Sequence, residues 1–167
     1  MPLHHLGIDV RDLKEAREFY LAALKPLGYK VKMTFHDGEV IGMGAGFAPD
    51  FWLTGPNKPS PDGSEKPKEK TGFIHLAFAA SNREQVRKFY DAAIAAGGKC
   101  NGPPGVRPEY LSIYYGAFVL DPEGRNIEAV CIKPAFLAEP WGVVGWLATS
   151  GILAAVGSGV AKWQGWF

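Results

Sequence analysis

Two histidines and one glutamate stand where their types and spacing could hold a metal ion. His5 lies in "HHLGIDV" and His75 in "GFIHLAF", and one stretch overlays the other with a constant offset of 70 residues. The same offset brings Leu6 onto Leu76, Arg17 onto Arg87, Phe19-Tyr20 onto Phe89-Tyr90, Ala22-Ala23 onto Ala92-Ala93 and Gly28 onto Gly98. A match of strand, helix and stop together marks a structural unit used twice. Glu128 stands in "NIEAVCI", near the end of the second unit. Strand side chains alternate between faces, so Leu6, Ile8 and Val10 share one side and leave His5 on the other. By the same alternation Ile127, Ala129 and Cys131 take the apolar side and Glu128 the opposite one. Gly7, Ala77 and Ala79 are small and leave volume beside each imidazole. If two curved sheets face each other, the three polar groups converge. A buried carboxylate needs a partner, and a divalent cation held by two imidazoles and a carboxylate would supply one, with positions left open for water or substrate. The alternative is three separate polar residues, each satisfied by backbone or water.

The elements that must position these groups read as βαβββ, twice. In the first unit the strand around Leu6 to Val10 leads into a helix capped by Asp12, with Glu15 three residues on as its capping-box partner. Leu13, Ala16, Phe19, Tyr20, Ala23 and Leu27 form its apolar stripe, and Gly28 stops it. "YKVKMTF", "VIGMGAG" and "DFWLTG" read as three short strands, with Asp37-Gly38 as a hairpin signal. The second unit repeats the order: a strand over Phe73 to Ala79, a helix opened by Ser81 or Asn82 with Glu84 or Gln85 as cap partner, and a stop at Gly97-Gly98. Strands near Cys100, over Tyr114 to Leu120 and over Asn126 to Ile132 follow, the last two joined by the turn Asp121-Pro122-Glu123-Gly124. "NGPPGVRPEYLSI", with two consecutive prolines, reads as an ordered loop.

The fold class is therefore α+β. Residues 1–132 form one domain, with module one at about 2–55, a Pro-, Gly- and charge-rich connector at 56–71 and module two at about 72–132. An apolar extension fills 133–167.

With 167 residues and 47% hydrophobic content, the chain is long enough to bury a core without staples. Cys100 and Cys131 sit in no metal or redox spacing and read as two inert buried thiols of a reducing compartment. A formal net charge of +1, with both signs interspersed, offers no footprint for nucleic acid. The N-terminus carries histidines and an aspartate within its first ten residues instead of a secretory apolar core. A cytoplasmic location follows.

The two βαβββ units, the opening "HHLGIDVRDLKEAREFY", "IHLAF" and "FVLDPEGRNIEAV" resemble the vicinal oxygen chelate superfamily, which includes glyoxalase I, bleomycin-resistance and fosfomycin-resistance proteins and extradiol dioxygenases. The resemblance covers Pro2 to about Ile132. It implies a cupped mixed sheet, a divalent metal ion (Fe, Zn, Ni or Mn) and metal ligands at His5, His75 and Glu128. Glyoxalases place a further carboxylate on the last strand of the first unit. Here "DFWLTG" aligns with "NIEAVC" and puts Trp52 there, leaving the pattern of two histidines and one carboxylate shared with extradiol dioxygenases. Relatives place substrate-contacting groups in the loop and strand before Glu128, which points to Arg107 and Tyr115 as catalytic candidates and to Tyr110 and Tyr114, with Trp52, as substrate contacts. Many relatives carry histidine after the tyrosine of that loop, where Leu111 stands here. His4 and His36 are expected to be structural or exposed.

Two functions from different classes follow. One is a metal-dependent enzyme, a lyase or an extradiol-type dioxygenase, whose small-molecule substrate binds through neighbouring oxygens. The other is a non-catalytic binding protein of the bleomycin-resistance kind, because fold alone does not decide function. A homodimer is compatible with either. From Trp141 to Ala161 there is no charged residue, a run of roughly 20 that is long enough to cross a bilayer. Trp141, Trp146, Trp163 and Trp166 flank it as interfacial anchors would, whereas its glycines lower helix propensity. The two readings of this segment are a tail anchor with the domain on the cytosolic side, and an appendage that lies on the fold or caps a dimer.

Overall fold

In the computed structural model, which describes residues 3–57 and 70–139, Asp12 and Asn82 start the two long helices by the same device. Each side-chain oxygen accepts from the backbone N–H three residues on, Glu15 at 2.9 Å and Gln85 at 2.8 Å, which satisfies one of the orphan donors of a helix start. The first module runs β1 (Leu6–Asp9), α1 (Leu13–Leu24), a 3-10 turn (Lys25–Leu27), β2 (Lys30–Phe35), β3 (Val40–Gly44) and β4 (Phe51–Thr54). The second runs β5 (His75–Ala79), α2 (Arg83–Ala95), β6 (Lys99–Val106), β7 (Tyr114–Leu120), β8 (Asn126–Ile132) and a single-turn α3 (Ala135–Ala138). The sheets have matching orders, β1-β4-β3-β2 and β5-β8-β7-β6, with β1–β4 and β5–β8 parallel and the other pairs antiparallel. The βαβββ repeat is thus the architecture of the protein.

Each helix lies on the apolar side of its own sheet, and the two modules then meet helix side to helix side. Ile8, Phe19, Tyr20, Leu24, Met43 and Leu53 from the first module share one buried cluster with Phe78, Val86, Phe89, Val119 and Ile127 from the second. The Phe78 ring of β5 stands edge-on to Phe51 at 5.4 Å and to Tyr29 at 5.3 Å. Burial of this apolar surface is the main stabilising term. Its geometric consequence is that the other face of each sheet points outward. His5, Gly7 and Asp9 on one edge strand, and His75, Ala77 and Ala79 on the other, are all exposed.

A buried ion network locks this arrangement. The Arg125 guanidinium, 2% exposed, donates to Asp121 Oδ2 (3.0 Å), Glu123 Oε2 (3.0 Å), the Asp9 carbonyl (2.8 Å) and the Thr71 carbonyl (3.1 Å). Tyr20 Oη of α1 donates to the same Asp121 Oδ2 at 2.8 Å, so one turn of module two grips β1 and α1 of module one. Burial, with Asp121 beside it, pushes the Tyr20 hydroxyl well above the ordinary phenol range and keeps it a donor.

Two expectations are corrected. The stretch read as a loop after Cys100 is largely strand: β6 continues through Gly102-Pro103-Pro104-Gly105 to Val106. It is an edge strand with register shifts on both sides of Gly102, where missing N–H donors cost no ladder bonds. Cys100 on that edge is exposed, whereas Cys131 is buried and burial pushes its thiol pKa up. Among the described residues no helix is long and apolar enough to cross a membrane. The centre of the connector (58–69) and the uncharged run at 141–161 lie outside the described residues.

Candidate functional site

The open face of the second sheet is built in rows set by strand register. His75 lies opposite Asn126, and Ala77 opposite Glu128, which faces Phe118 across the next pair. Glu128 is 1% exposed, and its carboxylate takes two contacts: Tyr114 Oη donates to Oε1 at 2.6 Å, and His75 Nε2 lies 3.1 Å from Oε2. The absence of a side chain at Gly116 makes room for Oε1, because a Cβ there would stand 2.8 Å from it. Burial, then the hydrogen bond to Glu128, raises the Tyr114 pKa, so the phenol stays protonated and orients the carboxylate. Asn126 Nδ2 lies 2.7 Å from His75 Nδ1, and Asn101 Nδ2 donates to Asn126 Oδ1 at 3.0 Å. Phe118 stacks against the imidazole with centroids 6.1 Å apart.

The first sheet presents the corresponding face. Gly7 pairs with Trp52, which therefore occupies the position that Glu128 holds beside Ala77. The indole lies over Gly42, where an added Cβ would stand 2.7 Å from its ring, and stacks on Phe35 with centroids 5.9 Å apart. His5, Gly7, Val40, Trp52 and Thr54 line an open pocket of about 270 Å³. His5 Nδ1 lies 2.9 Å from His4 Nδ1, so His4 sits at the rim, and His36 falls in the β2–β3 turn with a positive φ of 52°.

The residues expected to act together divide as follows. His75 and Glu128 meet, with Tyr114 on the same face and Tyr110 edge-on to it at 5.2 Å. His5 and Trp52 belong to the other sheet, and no cluster of three His, Cys, Asp or Glu forms among the described residues. Tyr115 is misplaced by the sequence reading. Alternation along β7 puts it on the helix side, where its ring lies under the guanidinium groups of Arg83 (4.8 Å) and Arg87 (5.9 Å). Its neighbour Tyr114 takes the open face. Arg107 sits above Phe118 at 5.5 Å and donates to the carbonyls of Pro103 (2.6 Å) and Val106 (3.3 Å), bracing the rim. Sequence reasoning gave no role to Asn101, Asn126 and Phe35; Asn126 read only as the start of the last strand.

The family model described as Glyoxalase/Bleomycin resistance protein/Dioxygenase superfamily matches residues 2–129. The chain belongs to that superfamily. No curated protein matches it. Among solved structures, a glyoxalase/bleomycin resistance protein from Albidiferax ferrireducens T118 is 31% identical, with 75% of this chain and 95% of that one covered at a TM-score of 0.57. A glyoxalase/bleomycin resistance protein/dioxygenase family enzyme from Burkholderia phytofirmans PsJN is 21% identical, with 80% and 100% covered at 0.58. Lactoylglutathione lyase from Agrobacterium tumefaciens is 19% identical, with 75% and 90% covered at 0.54. The last two show likeness of fold.

Members of this superfamily commonly use a divalent metal, and the chemistry of the second-sheet residues fits one. A carboxylate this buried calls for a cation, yet its partners are a phenol and an imidazole. Two ligands each about 2.0–2.2 Å from one ion lie about 2.8–3.6 Å apart in octahedral or tetrahedral geometry, a range that includes the 3.1 Å between His75 Nε2 and Glu128 Oε2.

Proposed function

We propose that this protein is a divalent-metal-dependent enzyme of the lyase or dioxygenase kind, acting on a small substrate chelated through neighbouring oxygens, in a site that two copies of the chain complete. The observation that carries the reading is the buried Glu128 carboxylate at ligand spacing from the His75 imidazole, which is 49% exposed and leaves the pair open to solvent. Two ligands are too few for a resident ion. The third in this reading is His5, which its own chain holds on the other sheet and which a second copy would bring to the His75 face. The outward-facing surfaces favour such a partner: Met33 and Phe35, on the face where Phe35 stacks on Trp52, and Tyr110, against Tyr114, are large apolar groups left exposed. In an isologous pair each copy gives and receives the same residues, so two equivalent sites form.

A metal held by His75, Glu128 and the partner subunit's His5 would act as Lewis acid or oxygen activator on the chelated substrate. The chain's own residues do the rest. Tyr114 holds Glu128 in one orientation, and Trp52 with Phe35 gives a flat apolar wall for an aromatic or aliphatic moiety. Arg107, half-buried above Phe118, puts positive charge at the rim for an anionic substituent. A non-catalytic binder would have little use for a buried carboxylate at ligand distance from an imidazole.

Because Trp52 replaces the carboxylate of glyoxalases, turnover of a glutathione hemithioacetal with nickel or zinc is expected to be weak, and the iron-loaded protein should be screened on catechols under oxygen. Metal-dependent turnover in either arm supports the enzyme reading. Tight ligand binding without turnover under any metal would establish the binding-protein alternative instead.

We also propose that residues 141–161 tether the domain to a membrane. The chain leaves α3 at Glu139, which is gripped by Arg87 at 2.8 Å on the helix side of the sheet, so a tether would leave the His75 face free. Deleting residues 140–167 is expected to move the protein from the membrane fraction to the supernatant without loss of thermal stability. Full-length protein that is monodisperse without detergent, and destabilised by the deletion, would assign the segment to the fold.

A further inference from the structure

The two ring nitrogens of His75 make opposite demands on their surroundings. Asn126 Nδ2, at 2.7 Å, is a donor only, so it pairs with a lone pair on Nδ1 and puts the ring proton on Nε2, aimed at Glu128 Oε2. A cation bound at Nε2 requires the other tautomer, with the lone pair on Nε2 and the proton on Nδ1. Asn126 is tied on its far side to Asn101, whose Nδ2 donates to Asn126 Oδ1 at 3.0 Å. Both partners are carboxamides, and a carboxamide turned through half a revolution exchanges its donor for an acceptor in nearly the same volume. If both amides turn together, Asn126 Oδ1 accepts from Nδ1–H of His75, and Asn126 Nδ2 donates to Asn101 Oδ1. Both hydrogen bonds survive with reversed polarity.

The geometry points to Asn101 and Asn126 as a paired amide relay that positions His75, holding the metal-free ring as the Nε2–H tautomer bonded to Glu128 and turning over to support the Nδ1–H tautomer when a divalent cation takes Nε2. The inference rests on the assignment of His75 as a metal ligand. It gives Glu128 a resting partner in the metal-free protein and makes metal entry a reorganisation of two amides with no net loss of hydrogen bonds. The register shift after Cys100 accompanies Asn101 on this edge of the sheet, where its side chain reaches Asn126. Among the described residues of module one there is no such device: Asp50, which precedes β4 as Asn126 opens β8, accepts from Tyr29 Oη at 3.3 Å, while His5 Nδ1 meets His4.

The test uses the full chain, zinc as the probe and the nitrogen chemical shifts of His75 in alkaline buffer. Wild type without metal is expected to show Nε2–H and, with zinc, Nδ1–H. Asn126→Asp offers Nδ1 only acceptors, which supports a proton on Nδ1, so its metal-free ring should no longer show the Nε2–H form with an unprotonated Nδ1, and it should bind zinc at least as tightly as wild type. Asn126→Leu supports neither state and should weaken zinc binding by about 10- to 100-fold, with a melting temperature measured alongside to confirm folding. Nδ1–H in metal-free wild type, or zinc affinities within twofold across all three proteins, would overturn the relay. Wild type that binds no zinc at all, while its tautomer still follows residue 126, would instead overturn the assignment of His75 as a ligand, and with it the relay's purpose.

Discussion

Replacing Arg125 with methionine is expected to destabilise the fold by about 3–5 kcal/mol, because it removes the one cation that lies between two buried carboxylates. Asp121 and Glu123 would keep their charges with side chains 1% and 6% exposed, and the carbonyls of Asp9 and Thr71 would each lose a donor. For a chain of this length that loss lowers the melting temperature by roughly 10 °C. The control is Arg11→Ala, whose guanidinium is 67% exposed and lies 3.9 Å from Glu123, for which less than about 1 kcal/mol is expected. Denaturant unfolding of the three proteins checks both figures. An Arg125→Met protein as stable as wild type would mean that the shared core alone holds the modules together.

Glu128→Gln is expected to remove bound metal almost entirely, with affinity falling about 100-fold or more while the fold survives. Glutamine keeps the volume beside Gly116 and an oxygen for Tyr114 Oη, but it carries no charge to balance a cation. Metal analysis after reconstitution with zinc and with iron, together with a melting curve, separates lost ligation from lost structure. Retained metal in Glu128→Gln would exclude this carboxylate as a ligand. The loss should be as complete in His75→Ala, since the two atoms 3.1 Å apart act on one ion.

Much of this was legible in the chain because a repeat reads twice. The offset of 70 residues matched His5 to His75, and the alternation in "NIEAVCI" put Glu128 on the face away from the helix, where it lies. Trp52 was placed opposite Glu128 by alignment, and the register pairs Gly7–Trp52 and Ala77–Glu128 agree. Alternation gives faces, however, and says nothing about which face of one sheet meets which face of the other. Gly7, Ala77 and Ala79 would suit a histidine-lined cavity in one chain or an outward surface awaiting a second copy. The helix-side contacts of Phe78 with Phe51 and Tyr29 decide it for a single chain. Tyr114 and Tyr115 are adjacent, so either could face the site until their strand was registered against Glu128. Nothing local singled out Arg125, because two of the groups that bury it, the carbonyls of Asp9 and Thr71, come from residues far away in sequence. The prolines of β6 argued against a strand, and edge position removed the objection.

The claim at the centre of this account is that each metal site takes His75 and Glu128 from one copy and His5 from the other, and mixing variants tests it directly. His5→Ala and His75→Ala proteins, carrying different tags, would be co-expressed and the heterodimer isolated through both tags. Each homodimer has every site damaged, but in the heterodimer one site keeps all three ligands and the other loses both histidines. Metal analysis is expected to give near-background metal for each homodimer and about half the wild-type content for the heterodimer, as closed two-fold symmetry requires. A heterodimer as empty as its parents, or a protein that shows no dimer by sedimentation while binding a full metal complement, would contradict it.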